Sequence, residues 1–139
     1  MIGIIVAAHK KLGTELLSAA QGIVGQMEQV SSVEFDYGES PEDAVDRLYA
    51  AIKGVDDGEG VLIFTDMFGG TPTNRSLALL KRSNVEVIAG VNLPMLLKAH
   101  VARKQMKLRE LTEFLRDYGA RNIVVASDFF SCRDFTPEK

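Results

Sequence analysis

Short apolar runs rich in β-branched residues restrict what this chain can fold into. Residues 2–8 (Ile-Gly-Ile-Ile-Val-Ala-Ala) and 61–65 (Val-Leu-Ile-Phe-Thr) lack the apolar–polar alternation of a half-solvated strand. They read as strands buried on both faces, and residues 85–89 form another. Residues 30–36 alternate, with Val33 and Phe35 on one side, and give a further strand. Between these runs the apolar period lengthens to that of a helix. Leu12, Leu16, Leu17, Ala20, Ile23, Val24 and Met27 mark one amphipathic helix. Ser40-Pro41-Glu42-Asp43 reads as a helix start: serine caps, proline suits the first turn, and acids favour the positive end of the dipole. Ala44, Val45, Leu48, Ala51 and Ile52 form the inner face of that helix, and Gly54 is its expected stop.

Thr71-Pro72 reads as the cap and first turn of a third helix, with Leu77, Ala78 and Leu80 inward. Helical spacing returns over about 95–104 and 108–118, the second stretch ended by Gly119. His100, with Lys98, Arg103 and Lys104, is expected on a solvated helix face. Residues 123–126 read as a last short strand and 133–139 as a polar tail. Strands alternating with helices predict an α/β protein with a mainly parallel sheet and helices on both faces. The expected fold is a doubly wound three-layer α/β/α arrangement of strand order 2-1-3-4. A chain of 139 residues suits one core, taken as a single domain over 1–130 followed by the tail 131–139.

In such sheets the ligand crevice lies beyond the carboxyl ends of the strands, where the winding reverses. His9 closes the first strand and Asp66 the third, and in a 2-1-3-4 order those strands are neighbours. An imidazole is a good nucleophile at neutral pH. A carboxylate bonded to one ring nitrogen fixes the tautomer and stabilises the positive ring. Backbone N–H groups around Gly69 and Gly70, the Thr71 hydroxyl and the following helix start suit a phosphoryl group. Each piece alone has a plainer reading: a loop histidine, a turn acid, a strand-to-helix turn. Their shared placement at one switch point brings the phosphohistidine reading level with the plain one.

Composition narrows the choice. A net charge of −3 offers no general attraction to nucleic acid or an anionic membrane. The one cysteine, Cys132, forms no internal disulfide, and two histidines far apart in sequence argue against a metal site. No basic n-region opens the chain and no apolar run nears the ~20 residues of a membrane span, so a cytoplasmic protein is expected. Neither Gly-x-Gly-x-x-Gly after the first strand, nor a Walker motif, nor a Gly-x-Ser-x-Gly elbow is present. No cofactor is expected.

Several segments together resemble a known family. Ile4-Ile5-Val6-Ala7-Ala8-His9, Leu16-Leu17-x-x-Ala20, Gly60-Val61-Leu62, Asp66-x-x-Gly69-Gly70-Thr71-Pro72-x-Asn74 and Ala89-Gly90-Val91-Asn92-Leu93-Pro94-Met95 occur in order. With them the chain resembles the mannose-type enzyme IIA of the bacterial phosphoenolpyruvate-dependent sugar phosphotransferase system. The resemblance implies that His9 takes a phosphoryl group from phospho-HPr and passes it to a IIB component during sugar uptake. It implies that Asp66 orients and charges the imidazole, and that Thr71 and the Gly69–Gly70 backbone hold the phosphate. It also implies a phosphoprotein homodimer whose last strand crosses to the partner as an antiparallel edge, linked to IIC and IID through IIB. In that family glycine usually follows the histidine; here Lys10 and Lys11 follow it, beside a donor whose docking face is itself basic. The absence of an Ala/Pro-rich linker before Lys139 suggests a IIA standing apart from its IIB. Two other readings stay open: a regulatory module whose partners depend on the phosphorylation state of His9, and, less favoured, the phosphotransfer subunit of dihydroxyacetone kinase.

Overall fold

The computed structural model describes residues 1–67, 69–80 and 84–129. Four parallel strands, β1 (Gly3–His9), β2 (Val30–Phe35), β3 (Val61–Thr65) and β4 (Val85–Ala89), lie in the order β2-β1-β3-β4. They are joined by α1 (Leu12–Val24), α2 (Pro41–Val55) and α3 (Thr71–Leu77), and followed by α4 (Leu93–Ala102), α5 (Leu108–Arg121) and a 3₁₀ turn (Ala126–Phe129). The β-branched runs explain the sheet, because period-two alternation sends successive side chains to opposite, equally apolar faces. Ile4, Val6, Leu62 and Phe64 pack in one core with Leu17, Ala20, Leu96 and Leu111 of α1, α4 and α5. Ile5, Ala7, Val61 and Ile63 pack in the other with Ala44, Leu48 and Ile52 of α2. The layers are those the sequence predicts.

Two helix starts are set by side-chain caps. Ser40 Oγ accepts from the Asp43 N–H at 3.1 Å, and Asn92 Oδ1 from the Met95 N–H at 3.0 Å. Asn92 also donates through Nδ2 to the Gly119 carbonyl at 3.0 Å, which ties the start of α4 to α5.

Elsewhere the structure corrects the reading. The expected strand at 123–126 does not form: Ile123, Val124 and Val125 are irregular and 76%, 55% and 64% exposed, and the 3₁₀ turn begins at Ala126. A strand needs a partner, and among the described residues these pair with no other strand. α2 runs through Gly54 to Val55, and α5 through Gly119 to Arg121. Gly119 serves close packing rather than termination, since a Cβ there would lie 2.3 Å from Met95 Cε. Leu12, Ile23 and Val24 of α1 are exposed, leaving Leu17 and Ala20 as its buried apolar residues. Leu77, Ala78 and Leu80 face outward; Pro72, Thr73, Ser76 and Leu79 are the buried residues there.

Arg103 departs most from expectation. It is 2% exposed and not on a solvated face. Its guanidinium donates to the carbonyls of Ile2 (3.2 Å), Gln29 (3.4 Å) and Glu28 (2.6 Å), which pins α4 to the amino ends of β1 and β2. The tail 131–139, with Cys132, lies outside the described residues.

Candidate functional site

The site is built where β1 and β3 end side by side. Parallel pairing of Ala7 with Thr65 places Asp66 one residue beyond the sheet, next to the end of β1. There Asp66 Oδ2 meets His9 Nδ1 at 2.7 Å and accepts the His9 backbone N–H at 3.0 Å. Its other oxygen, Oδ1, accepts the Met67 N–H at 3.0 Å. Burial pushes the Asp66 carboxyl up, but the His9 backbone N–H and ring outweigh it and hold the group below its ordinary value of 3.8. Asp66 is therefore ionised at neutral pH and can only accept. The hydrogen on the neutral ring sits on Nδ1, and the lone pair is left on Nε2.

The ring is held from behind as well. Gly70 abuts it so closely that a Cβ would stand 3.0 Å from His9 Cε1 and 3.1 Å from Met67 Cγ. Gly69, at φ +84°, takes the left-handed conformation that turns the chain into α3. Gly70, not Thr71, is the N-cap of α3, and Thr71 is its first residue. The Thr71 side chain is exposed and makes no hydrogen bond among the described residues, so its hydroxyl is open to a ligand.

A buried hydroxyl chain fixes this loop to the sheet. Thr73 Oγ1 donates to the Met67 carbonyl at 2.6 Å and lies 2.6 Å from Thr65 Oγ1. Thr73 has one hydroxyl hydrogen, so the second bond is donated by Thr65. The sequence reading missed Thr73, although it falls on the same helical face as Ser76 and is flanked by glycine and proline turn signals.

A cleft of about 420 Å³ opens at this point, lined by His9, Lys10, Phe35, Tyr37, Thr71 and Arg75 among others. His9, Asp66, Gly70 and Thr71, all singled out by sequence, are thus gathered at one strand-end cleft, with Gly69 in the adjoining turn. Lys10 adopts φ +49°, a left-handed conformation that gives a physical reason for glycine at the equivalent place in the resembled family. Arg75 was not anticipated. The available signal was its position one helical turn after Thr71, with no acid three or four residues away on either side. His100 lies outside this cleft, on α4. Among the described residues no three His, Cys, Asp or Glu side chains gather as a metal would require.

A family model described as the PTS system fructose IIA component aligns with residues 3–116. The chain belongs to the mannose-type IIA family of the phosphotransferase system. It is 35% identical over 103 residues to the mannose-specific EIIAB component of Escherichia coli (strain K12), covering 73% of this chain and 32% of that protein. The chain thus spans about a third of the length of that relative. Against the fructose-specific EIIA component of Bacillus subtilis (strain 168) it is 28% identical over 129 residues, 92% of this chain and 88% of the other. A crystal structure of the phosphotransferase system component EIIA from Streptococcus agalactiae superposes with a TM-score of 0.84 at 31% identity. That match covers 92% of this chain and 99% of that one. For this IIA chain, both the mainly parallel α/β fold and the family stand on these matches.

Proposed function

We propose that this chain is a phosphohistidine carrier of a sugar phosphotransferase system. His9 accepts a phosphoryl group from phospho-HPr and passes it to a IIB component. The observation that carries this reading is the 2.7 Å contact between Asp66 Oδ2 and His9 Nδ1, which leaves Nε2 free at a cleft. In the forward step the Nε2 lone pair attacks phosphorus, the donor's N–P bond breaks, and its electron pair returns to the donor imidazole. The proton stays on Nδ1, and the positive ring that results faces the Asp66 carboxylate. In the second step an acceptor nitrogen attacks, the Nε2–P bond breaks, and Nε2 regains its lone pair. Gly69, Gly70 and Thr71 offer backbone and hydroxyl donors to the phosphoryl oxygens, which need no rearrangement to bind.

The protein acts in the cytoplasm and reaches the membrane components IIC and IID only through IIB. No helix among the described residues is long and apolar enough to cross a membrane. The relatives above are named for different sugars, mannose and fructose; in this proposed relay the sugar is selected by the membrane component, and the chain only carries the phosphoryl group. The chain works as a homodimer. Ile123, Val124 and Val125 are exposed apolar residues, and β4 is an edge strand with one side unpaired. Both are covered if the segment pairs across two copies. Incubation with phosphoenolpyruvate, enzyme I and HPr is expected to give an acid-labile, base-stable phosphoprotein. Label retained at wild-type level in His9→Ala would overturn the assignment.

A further inference from the structure

Arg75 stands apart from the other arginines among the described residues. Arg47 is paired with Glu39 and the Glu34 carbonyl, Arg103 with three carbonyls, Arg109 with Glu113 and Glu86. Arg116 meets Asp117, and Arg121 the Asp117 carbonyl. Arg103 Nε is also buried without an acceptor, but that guanidinium donates through its other nitrogens; Arg75 makes no hydrogen bond or ion pair at all among the described residues, and its Nε is buried without an acceptor. A buried N–H left unpaired is costly, and such groups are rare in folded proteins. It persists here in the wall of the cleft that also holds His9 and Thr71.

The placement follows from helix geometry. Thr71 and Arg75 are four residues apart on α3, and helical side chains lean toward the helix start. The Arg75 side chain therefore returns over the turn that carries Thr71, toward the end of β1. Arginine presents a planar fork of N–H donors that matches two phosphoryl oxygens, is always charged, and has no acceptor of its own. Nearby acids do not consume it: Glu39 in the same cleft is taken by Arg47 at 2.6 and 2.7 Å, and Asp36 makes no hydrogen bond with it.

We infer that Arg75 is a catalytic residue of the transfer, its guanidinium binding the non-bridging oxygens of the phosphoryl group as that group moves to and from His9 Nε2. The inference rests on the carrier reading and adds a residue to it. The bonds made and broken are unchanged: one N–P bond forms at Nε2 as the donor's N–P bond breaks, and Arg75 neither gains nor loses a proton. A phosphoryl oxygen supplies the acceptor that Arg75 Nε lacks, and the guanidinium offsets charge on the moving group.

The test uses phosphoramidate, a small donor with no docking surface, beside phospho-HPr. With phosphoramidate, ammonia leaves as the Nε2–P bond forms, and the label is counted on wild type, Arg75→Gln, Arg75→Lys and His9→Ala. Arg75→Gln is expected to slow labelling from both donors by about 10²-fold at saturation, with KM for HPr little changed. Arg75→Lys should recover part of the rate, as a point charge without the fork. Thermal melts should show Arg75→Gln folding as well as wild type, because Arg75 has no hydrogen-bond or ion-pair partner to lose among the described residues. If Arg75→Gln slows only the HPr reaction, through KM, the residue is a docking contact and the inference fails. Wild-type rates with both donors also overturn it. A wild-type chain that takes no label at His9 from either donor refutes the carrier reading itself, a distinct result.

Discussion

Asp66→Asn tests the site at its most constrained point. All the acceptor capacity that Asp66 uses faces N–H groups: Oδ2 serves His9 Nδ1 and the His9 backbone N–H, and Oδ1 serves the Met67 N–H. An asparagine has one oxygen and one NH₂, so either orientation puts an NH₂ against an N–H. Keeping the oxygen toward His9 sacrifices the Met67 bond; flipping it sacrifices two bonds and frees the ring. The first is the cheaper state. The Met67 N–H lies at an exposed position where water can replace the lost acceptor, so the variant should fold cooperatively and lose no more than about 1 kcal/mol of stability. The catalytic loss is larger in kind. A bond to a charged group contributes about 1.5–3 kcal/mol, and the neutral amide no longer offsets the positive ring that forms on phosphorylation. Losing about 2–3 kcal/mol of that stabilisation slows transfer roughly 30- to 150-fold. Rapid-quench transfer from phospho-HPr, with a urea melt on the same sample, reads both quantities. A folded Asp66→Asn within threefold of wild type would remove the carboxylate from the mechanism.

Other outcomes follow from the same contacts. Thr73→Val deletes both bonds of the hydroxyl chain and strands the Met67 carbonyl, so it should lose about 2–3 kcal/mol in a urea melt and slow transfer by loosening the Asp66 loop. Arg103→Met removes the guanidinium from the carbonyls of Ile2 and Glu28 at the amino ends of β1 and β2, while that of Gln29 keeps the Ile4 N–H; a loss of about 2–3 kcal/mol is expected, with His9 labelling kinetics unchanged in the folded fraction. Because the folded-state pKa of Asp66 lies below its ordinary 3.8, its contribution is fully present above that value and is lost as pH falls through the lower, folded value. Melts taken between pH 5 and strongly acidic conditions should therefore show a decline in wild type that is shallower in Asp66→Asn.

What could be read from residues alone follows a physical division. Sheet order and the meeting of His9 with Asp66 were legible because buried parallel strands carry a continuous apolar signature, and the switch point follows from strand order. Caps at Ser40 and Asn92 were equally local, although only Ser40 was read as one. The misreadings came where tertiary partners overrode residue type. Arg103 continues the stripe of Leu96 and Ala99 on α4, so its spacing placed it inside, while its charge argued for solvent. Gly119 looked like a helix stop because its packing against Met95 is invisible along the chain. On α3 the buried face carries hydroxyls and a proline, so a search for apolar spacing chose the outward leucines instead. Residues 123–126 have strand-like composition, yet composition alone does not pair them: among the described residues they join no edge of the sheet, although β4 has one open.

On this mechanism the phosphoryl group sits on Nε2 of His9, opposite the nitrogen held by Asp66. Phosphorus and nitrogen NMR of the phosphorylated protein, labelled with ¹⁵N in histidine, distinguishes the two ring nitrogens through their coupling to phosphorus. We expect one phosphohistidine, coupled through Nε2 of His9. A phosphoryl group on Nδ1, or on His100, would contradict it.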